Sequence, residues 1–174
     1  MEIINFSNDY LAQVADLYDR VFTGPPWFDP PMGQEEAARY IQSELAKPCA
    51  LALLAISENS PIGFAWGYQS TNSGFAKSKY ELLVSQAGIS KIVPDYPYFY
   101  ISEVGVDPSL QGRGVGTLLT ENLAADQLPL LMRTLNTSPM LAIATNKLLM
   151  IPIIAPWLEQ TDPENPNRVI LVKI

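Results

Sequence analysis

Apolar positions along the chain change their spacing several times, and each change marks an element. Glu2–Phe6 is short and β-prone, Ser7 follows as an N-cap residue, and Leu11, Val14, Ala15, Tyr18, Val21 and Phe22 recur on one face of a helix. The octapeptide GPPWFDPP at Gly24–Pro31 stops that helix, because proline brings no N–H and its ring clashes with the preceding turn. A second helix is predicted from Gln34 to Ala46. Its first turn carries Glu35 and Glu36, where the helix dipole favours negative charge, and Lys47-Pro48 closes it. Cys49–Ile56 is a continuous apolar run of strand length, SENSP at 57–61 is turn chemistry, and Ile62–Tyr68 is aromatic and β-prone. Together they predict an antiparallel hairpin.

Residues 69–97 break the pattern with Gly, Ser and Lys and then two prolines, and they read as an insertion or lid with a short helix near Ser78–Ala87. Tyr98–Val106 is the clearest strand and ends at Asp107-Pro108. Strict alternation puts Tyr100, Ser102 and Val104 on one face and Ile101, Glu103 and Gly105 on the other, unless a bulge intervenes. Helical spacing returns at Val115, Leu118, Leu119 and Leu123. A fifth strand is predicted at Leu130–Leu135, a fourth helix at Pro139–Leu149 and a closing strand at Arg168–Ile174, with room for one more at Ile151–Ile154. Strands alternating with helices make one α/β domain over residues 1–174, built on a mixed sheet.

Composition narrows the chemistry. The chain has no histidine, which excludes Ser-His-Asp and Cys-His catalysis and most zinc sites, and no metal is expected. Acid–base work falls to carboxylates, Tyr, Lys, Ser/Thr, water or the lone Cys49. A formal charge of −7 argues against nucleic acid as a partner, since phosphate neutralisation needs a basic surface, and leans towards a cationic one. No apolar run is long enough to span a membrane. MEIINF lacks the basic and apolar regions of a signal peptide, and a single cysteine fits a reducing cytoplasm. Cys49 itself reads as a small core residue at the start of its strand.

Three glycines, Gly112, Gly114 and Gly116, stand where a strand hands over to a helix, within VGVDPSLQGRGVG at 104–116. One reading is a flexible turn. The other is a loop whose backbone amides meet an anion at a helix N-terminus, with Arg113 adding charge. A P-loop requires Gly-Lys-Ser/Thr, which is absent, and the glycine spacing misses the dinucleotide fingerprint.

The stretch does match Q/R-x-x-G-x-G/A after a strand ending V-D-P, with Gln111, Gly114 and Gly116 in the three named places. In this it resembles the acetyl-coenzyme-A-binding segment of the GNAT superfamily of N-acetyltransferases, and the order of elements agrees over nearly the whole chain. The resemblance implies a mostly antiparallel sheet flanked by helices, in which a splayed strand pair forms the cofactor cleft. It implies acetyl-CoA as cofactor, its pyrophosphate on Gln111, Gly112, Arg113, Gly114, Val115, Gly116 and Thr117, and its pantetheine arm along Val104, Gly105 and Val106. The acceptor, a small-molecule or peptide amine, would meet Pro26, Trp27, Phe28 and Tyr68, with Arg133 and Thr134 as further candidates. Dimers are common in the family, which suits a homodimer.

Glu103 stands where several members carry a glutamate that takes the proton of the amine, although a solvent-facing strand residue or ion-pair partner would look the same. The chain departs from the family in its fourth helix. ATNKLLM places Thr145 where a tyrosine usually protonates the departing thiolate, and a threonine hydroxyl is a far poorer acid. The leading reading is an acetyl-CoA-dependent transferase acting directly on a primary amine. Its alternatives are a CoA- or acyl-CoA-binding sensor or interaction module of the same fold, and an enzyme using a longer acyl-CoA.

Overall fold

The computed structural model describes residues 1–70, 97–127, 129–153 and 167–174, and among these described residues there are seven strands and four helices. In chain order they are β1 (Glu2–Asn5), α1 (Leu11–Phe22), α2 (Gln34–Leu45), β2 (Leu51–Ser57), β3 (Ser60–Ser70), β4 (Tyr98–Val106), α3 (Val115–Ala124), β5 (Leu130–Leu135), α4 (Pro139–Asn146), β6 (Ile151–Ile153) and β7 (Arg168–Lys173). The sheet order is β1-β2-β3-β4-β5-β7-β6, and β1–β2, β2–β3, β5–β7 and β6–β7 are antiparallel pairs. The architecture is α/β with a mostly antiparallel sheet. The short helix predicted near Ser78–Ala87 lies outside the described residues.

The chain divides into two compact units, Met1–Tyr68 with Ile101–Ala125, and Gln69–Tyr100 with Asp126–Ile174. In the first, a 3-10 turn capped by Ser7 leads into α1, so the serine caps that turn and not α1 itself. Val14, Leu17, Tyr18, Val21 and Phe22 of α1 pack with Ile41 of α2, Leu54 of β2 and Phe64 and Trp66 of β3. Asp19 closes the intervening proline loop, its two carboxylate oxygens accepting from Met32 N at 3.1 Å and Gly33 N at 2.7 Å. The β2–β3 hairpin turns through Glu58 and Asn59, both left-handed at φ 51° and 61°, the sense that matches strand twist in a two-residue loop.

Gly105 on β4 is required by packing. A Cβ added there would lie 2.3 Å from Cζ of Phe64, whose ring is fully buried. We expect Gly105→Ala to destabilise the fold by about 1–3 kcal/mol through forced repacking of that ring. A lowered urea midpoint at unchanged m-value would show it.

In the second unit β5 pairs with β7 from Leu130↔Lys173 to Leu135↔Arg168, and β6 adds at the edge through Ile151↔Val172. Leu131, Ile170 and Leu171 are buried among the strands, and Ala144, Leu148 and Met150 are buried at and beyond α4.

Three local expectations are corrected. Cys49 is exposed at φ 50° in the turn between α2 and β2, because Lys47-Pro48 has already ended the helix and the chain must reverse before Leu51. Leu118 is exposed although it falls in the apolar series of α3. The helix predicted at Pro139–Leu149 stops at Asn146, three residues short; beyond it Leu149 takes a left-handed φ of 57° and Met150 N closes back on Ala144 O at 3.0 Å.

Candidate active site

Where β4 ends, the chain is pinned before it loops. Asp107 Oδ1 accepts from Ser109 N at 3.0 Å and Ser109 Oγ at 2.7 Å, which opens a 3-10 turn over Pro108–Leu110. Arg20 of α1 reaches Asp107 Oδ2 at 3.1 Å. The Ser109 hydroxyl chiefly, with Arg20 adding, holds the Asp107 carboxyl below the usual carboxylate range. Gln111 Nε2 then donates to Val106 O at 3.2 Å, tying the loop back to the strand.

Gly112 and Gly114 follow with left-handed φ of 75° and 84°, and a Cβ on either would meet nothing within 4 Å. Backbone conformation, not crowding, therefore calls for glycine here. Gly114 is the N-cap of α3, and no side chain caps that end. The first-turn N–H groups, on Val115, Gly116 and Thr117, have no acceptor inside the helix and sit at the positive end of its dipole. Arg113 is exposed between the two glycines. This donor set suits an anion.

Burial along the strand before the loop does not alternate. Ser102 Oγ donates to Glu44 Oε2 at 2.6 Å, and the next residue, Glu103, accepts from Tyr40 Oη at 2.8 Å on Oε1. Tyr40 and Glu44 lie one turn apart on α2, so two adjacent strand residues meet the same helix face.

Around this point the side chains form a polar-edged aromatic cluster. Tyr18 packs on Tyr40 with ring centroids 5.5 Å apart, on Phe22 at 4.5 Å and on Phe64 at 5.9 Å, and Phe22 continues to Trp27 at 5.7 Å. Burial first, and the charge of Glu103 second, push the phenols of Tyr18 and Tyr40 far above their ordinary range, so both stay protonated. Glu44 is only 3% exposed and is bonded by Lys47 as well as by Ser102. Lys47 Nζ also lies 4.0 Å above the Tyr68 ring. Burial alone disfavours the Lys47 charge, but hydrogen bonds to Glu44 and Tyr68 outweigh it and the net shift is upward. Burial likewise raises the Tyr68 phenol, against the opposing pull of Lys47.

The residues singled out from sequence thus fall into groups. Gly105, Val106 and Val115 are buried, Val104, Gly116 and Thr117 are half-buried, and Gln111 to Gly114 are exposed. Half-buried Glu103 joins Tyr40, Trp27 reaches the cluster through Phe22, and Tyr68 borders it beside Lys47. Pro26 is half-buried, while Phe28 is 71% exposed at φ 53°. Thr145 of α4 donates its hydroxyl to Leu141 O at 2.9 Å in its own helix. Arg133 and Thr134 are buried on β5, and burial, with Arg168 beside it, disfavours the Arg133 charge.

Sequence reading missed Tyr40, Glu44, Lys47 and Ser102, and counted Tyr18 only as core. The one usable signal was on α2, where Tyr40 and Glu44 share a helical face that also carries Ala37 and Ile41.

A family model described as the Acetyltransferase (GNAT) family matches residues 11–128. No curated protein sequence matches the chain. Among solved structures, arylalkylamine N-acetyltransferase 2 from Aedes aegypti is similar at a TM-score of 0.65 and 18% identity, over 99% of this chain and 98% of that one. A ribosomal-protein-alanine N-acetyltransferase from Escherichia coli is similar at 0.61 and 10% identity, over 98% and 90%. An aminoglycoside antibiotic 6'-N-acetyltransferase from Acinetobacter haemolyticus is similar at 0.56 and 16% identity, over 86% and 89%. At such identities the likeness is one of fold.

Proposed function

We propose, for a chain that belongs to the acetyltransferase (GNAT) family, that it transfers an acetyl group from acetyl-CoA directly to a primary amine. The observation that carries the reading is the pairing of an uncapped helix N-terminus behind two left-handed glycines with a carboxylate, Glu103, on the strand feeding that loop. Amides of Val115, Gly116 and Thr117, helped by Arg113, would hold the pyrophosphate. Val104, Gly105 and Val106 would offer backbone groups to the pantetheine arm. Bound acetyl-CoA supplies an activated thioester whose carbonyl carbon accepts the amine and whose sulfur leaves with the bonding pair.

Glu103 is the proposed base. An alkylamine with a pKa of about 10.4 is roughly one part in a thousand neutral near pH 7.4, a cost of ~4 kcal/mol. A carboxylate, acting directly or through one water, takes that proton as nitrogen attacks. The aromatic cluster behind Glu103, running out to Trp27, gives the acceptor an apolar wall, with Tyr68, Pro26 and Phe28 as further candidate contacts. The exposed free thiol of Cys49 suits a reducing compartment, and a cytoplasmic location belongs to this proposal.

Thr145 is given no proton to carry. A thiol has an ordinary pKa of about 8.5, so its thiolate departs without help more readily than an alkoxide would. Thr145→Ala is therefore expected to leave kcat within about threefold, the worth of one ordinary hydrogen bond. A tenfold or larger loss in steady-state turnover would give the hydroxyl a chemical role.

The reading is tested by thermal shift followed by turnover. Acetyl-CoA should raise the melting temperature by mass action, and an amine from an arylalkylamine, aminoglycoside, polyamine and peptide panel should then release free thiol. An unmoved melting temperature at millimolar acetyl-CoA would contradict it.

A further inference from the structure

Helix α2 carries two polar side chains one turn apart, Tyr40 and Glu44, and each takes hold of a different one of two neighbouring strand residues. Glu44 grips Ser102 and is itself held by Lys47, which anchors the strand at that residue. Tyr40 grips Glu103, the next strand residue, through a 2.8 Å hydrogen bond between residues 63 positions apart. The Tyr40 ring is held in turn by that of Tyr18, with centroids 5.5 Å apart.

A glutamate has three side-chain torsions, and a half-buried one on a strand is not oriented by backbone geometry alone. We propose that Tyr40 is a positioning residue for Glu103: its phenol, seated by Tyr18 and carried by α2, fixes the carboxylate that receives the proton of the acceptor. The assignment rests on Glu103 acting as base. It follows that the phenol does more than orient. A hydrogen bond donated to the carboxylate favours its charged form, so Tyr40 also keeps Glu103 ready to accept at neutral pH.

Other groups surround this pair. Tyr18 faces it from α1, Asp29 acts on Tyr18 from the loop that follows, Glu44 and Lys47 share α2 with Tyr40, and Tyr68 stands on β3 beside Lys47. Tyr40→Phe changes none of these and keeps the ring, so the variant isolates the hydroxyl.

The test is a carboxyl-carbon NMR titration of the full chain, with the Glu103 signal assigned by its loss in Glu103→Gln. Removing the donor should move the Glu103 titration upward by about one pH unit or more, the scale of one hydrogen bond to a charged group. The acidic limb of kcat/KM against pH should move up with it, with kcat reduced at neutral pH and KM for acetyl-CoA unchanged. Tyr18→Phe keeps both the ring packed on Tyr40 and the Tyr40–Glu103 hydrogen bond, so it should leave the Glu103 titration in place, and a shift as large as that of Tyr40→Phe would overturn the inference. An unmoved Glu103 titration in a folded Tyr40→Phe overturns the inference and leaves the base in place. Full turnover in Glu103→Gln removes the base itself, and the inference with it.

Discussion

Glu103→Gln should lower kcat/KM for amine acetylation by about two to four orders of magnitude, the usual worth of a positioned general base. Glutamine keeps the size of the side chain and can still accept from Tyr40, so fold and acetyl-CoA affinity should hold. The deficit has a diagnostic pH dependence. Each pH unit below an amine pKa of about 10.4 removes roughly nine-tenths of the neutral nucleophile, and the base exists to offset that loss. The variant should therefore recover as pH rises, about tenfold per unit, while the wild-type profile flattens. Steady-state rates between neutral and mildly alkaline pH check this. A variant with the wild-type profile would remove Glu103 from the chemistry.

Gly114→Val addresses the other half of the site. Gly114 holds φ 84° at the N-cap of α3. A β-branched residue there costs about 1–3 kcal/mol, either as strain in place or as relaxation of the loop. Relaxation turns the first amides of α3 away from the proposed pyrophosphate position, and charge-assisted hydrogen bonds lost together are worth roughly ten- to a hundredfold in affinity. Isothermal titration should show acetyl-CoA binding weakened on that scale, with a modest loss of stability. Because Gly114 is exposed and a Cβ there meets no neighbour, a large affinity loss cannot be put down to a crushed core.

The two halves of this site were unequally legible. The glycine loop could be read because its signals are local: a strand ended by Asp107-Pro108, and glycines at 112 and 114 where the backbone turns left-handed. The α2–β4 contacts could not, since nothing near Tyr40 announces a partner 63 residues away. The letters ISEVG put two polar residues side by side, and the structure shows that both Ser102 and Glu103 reach α2. Cys49 and Leu149 misled for a common reason: each is an ordinary apolar residue in a left-handed position, where glycine would have marked the end of the element. Leu118 shows that a spacing match places a residue on a face but does not guarantee that the face is covered at that point.

Acetyl transfer itself is the claim on which the rest depends. The most direct measurement gives the wild-type chain acetyl-CoA labelled in its acetyl group, together with the amine panel, and follows the label and the free thiol in the same samples. The account predicts label on an amine, thiol released in equal amount, and none of the label retained on the protein. Label remaining on acetyl-CoA with every amine, while binding of acetyl-CoA persists, would contradict it and favour a module that binds the cofactor without using it.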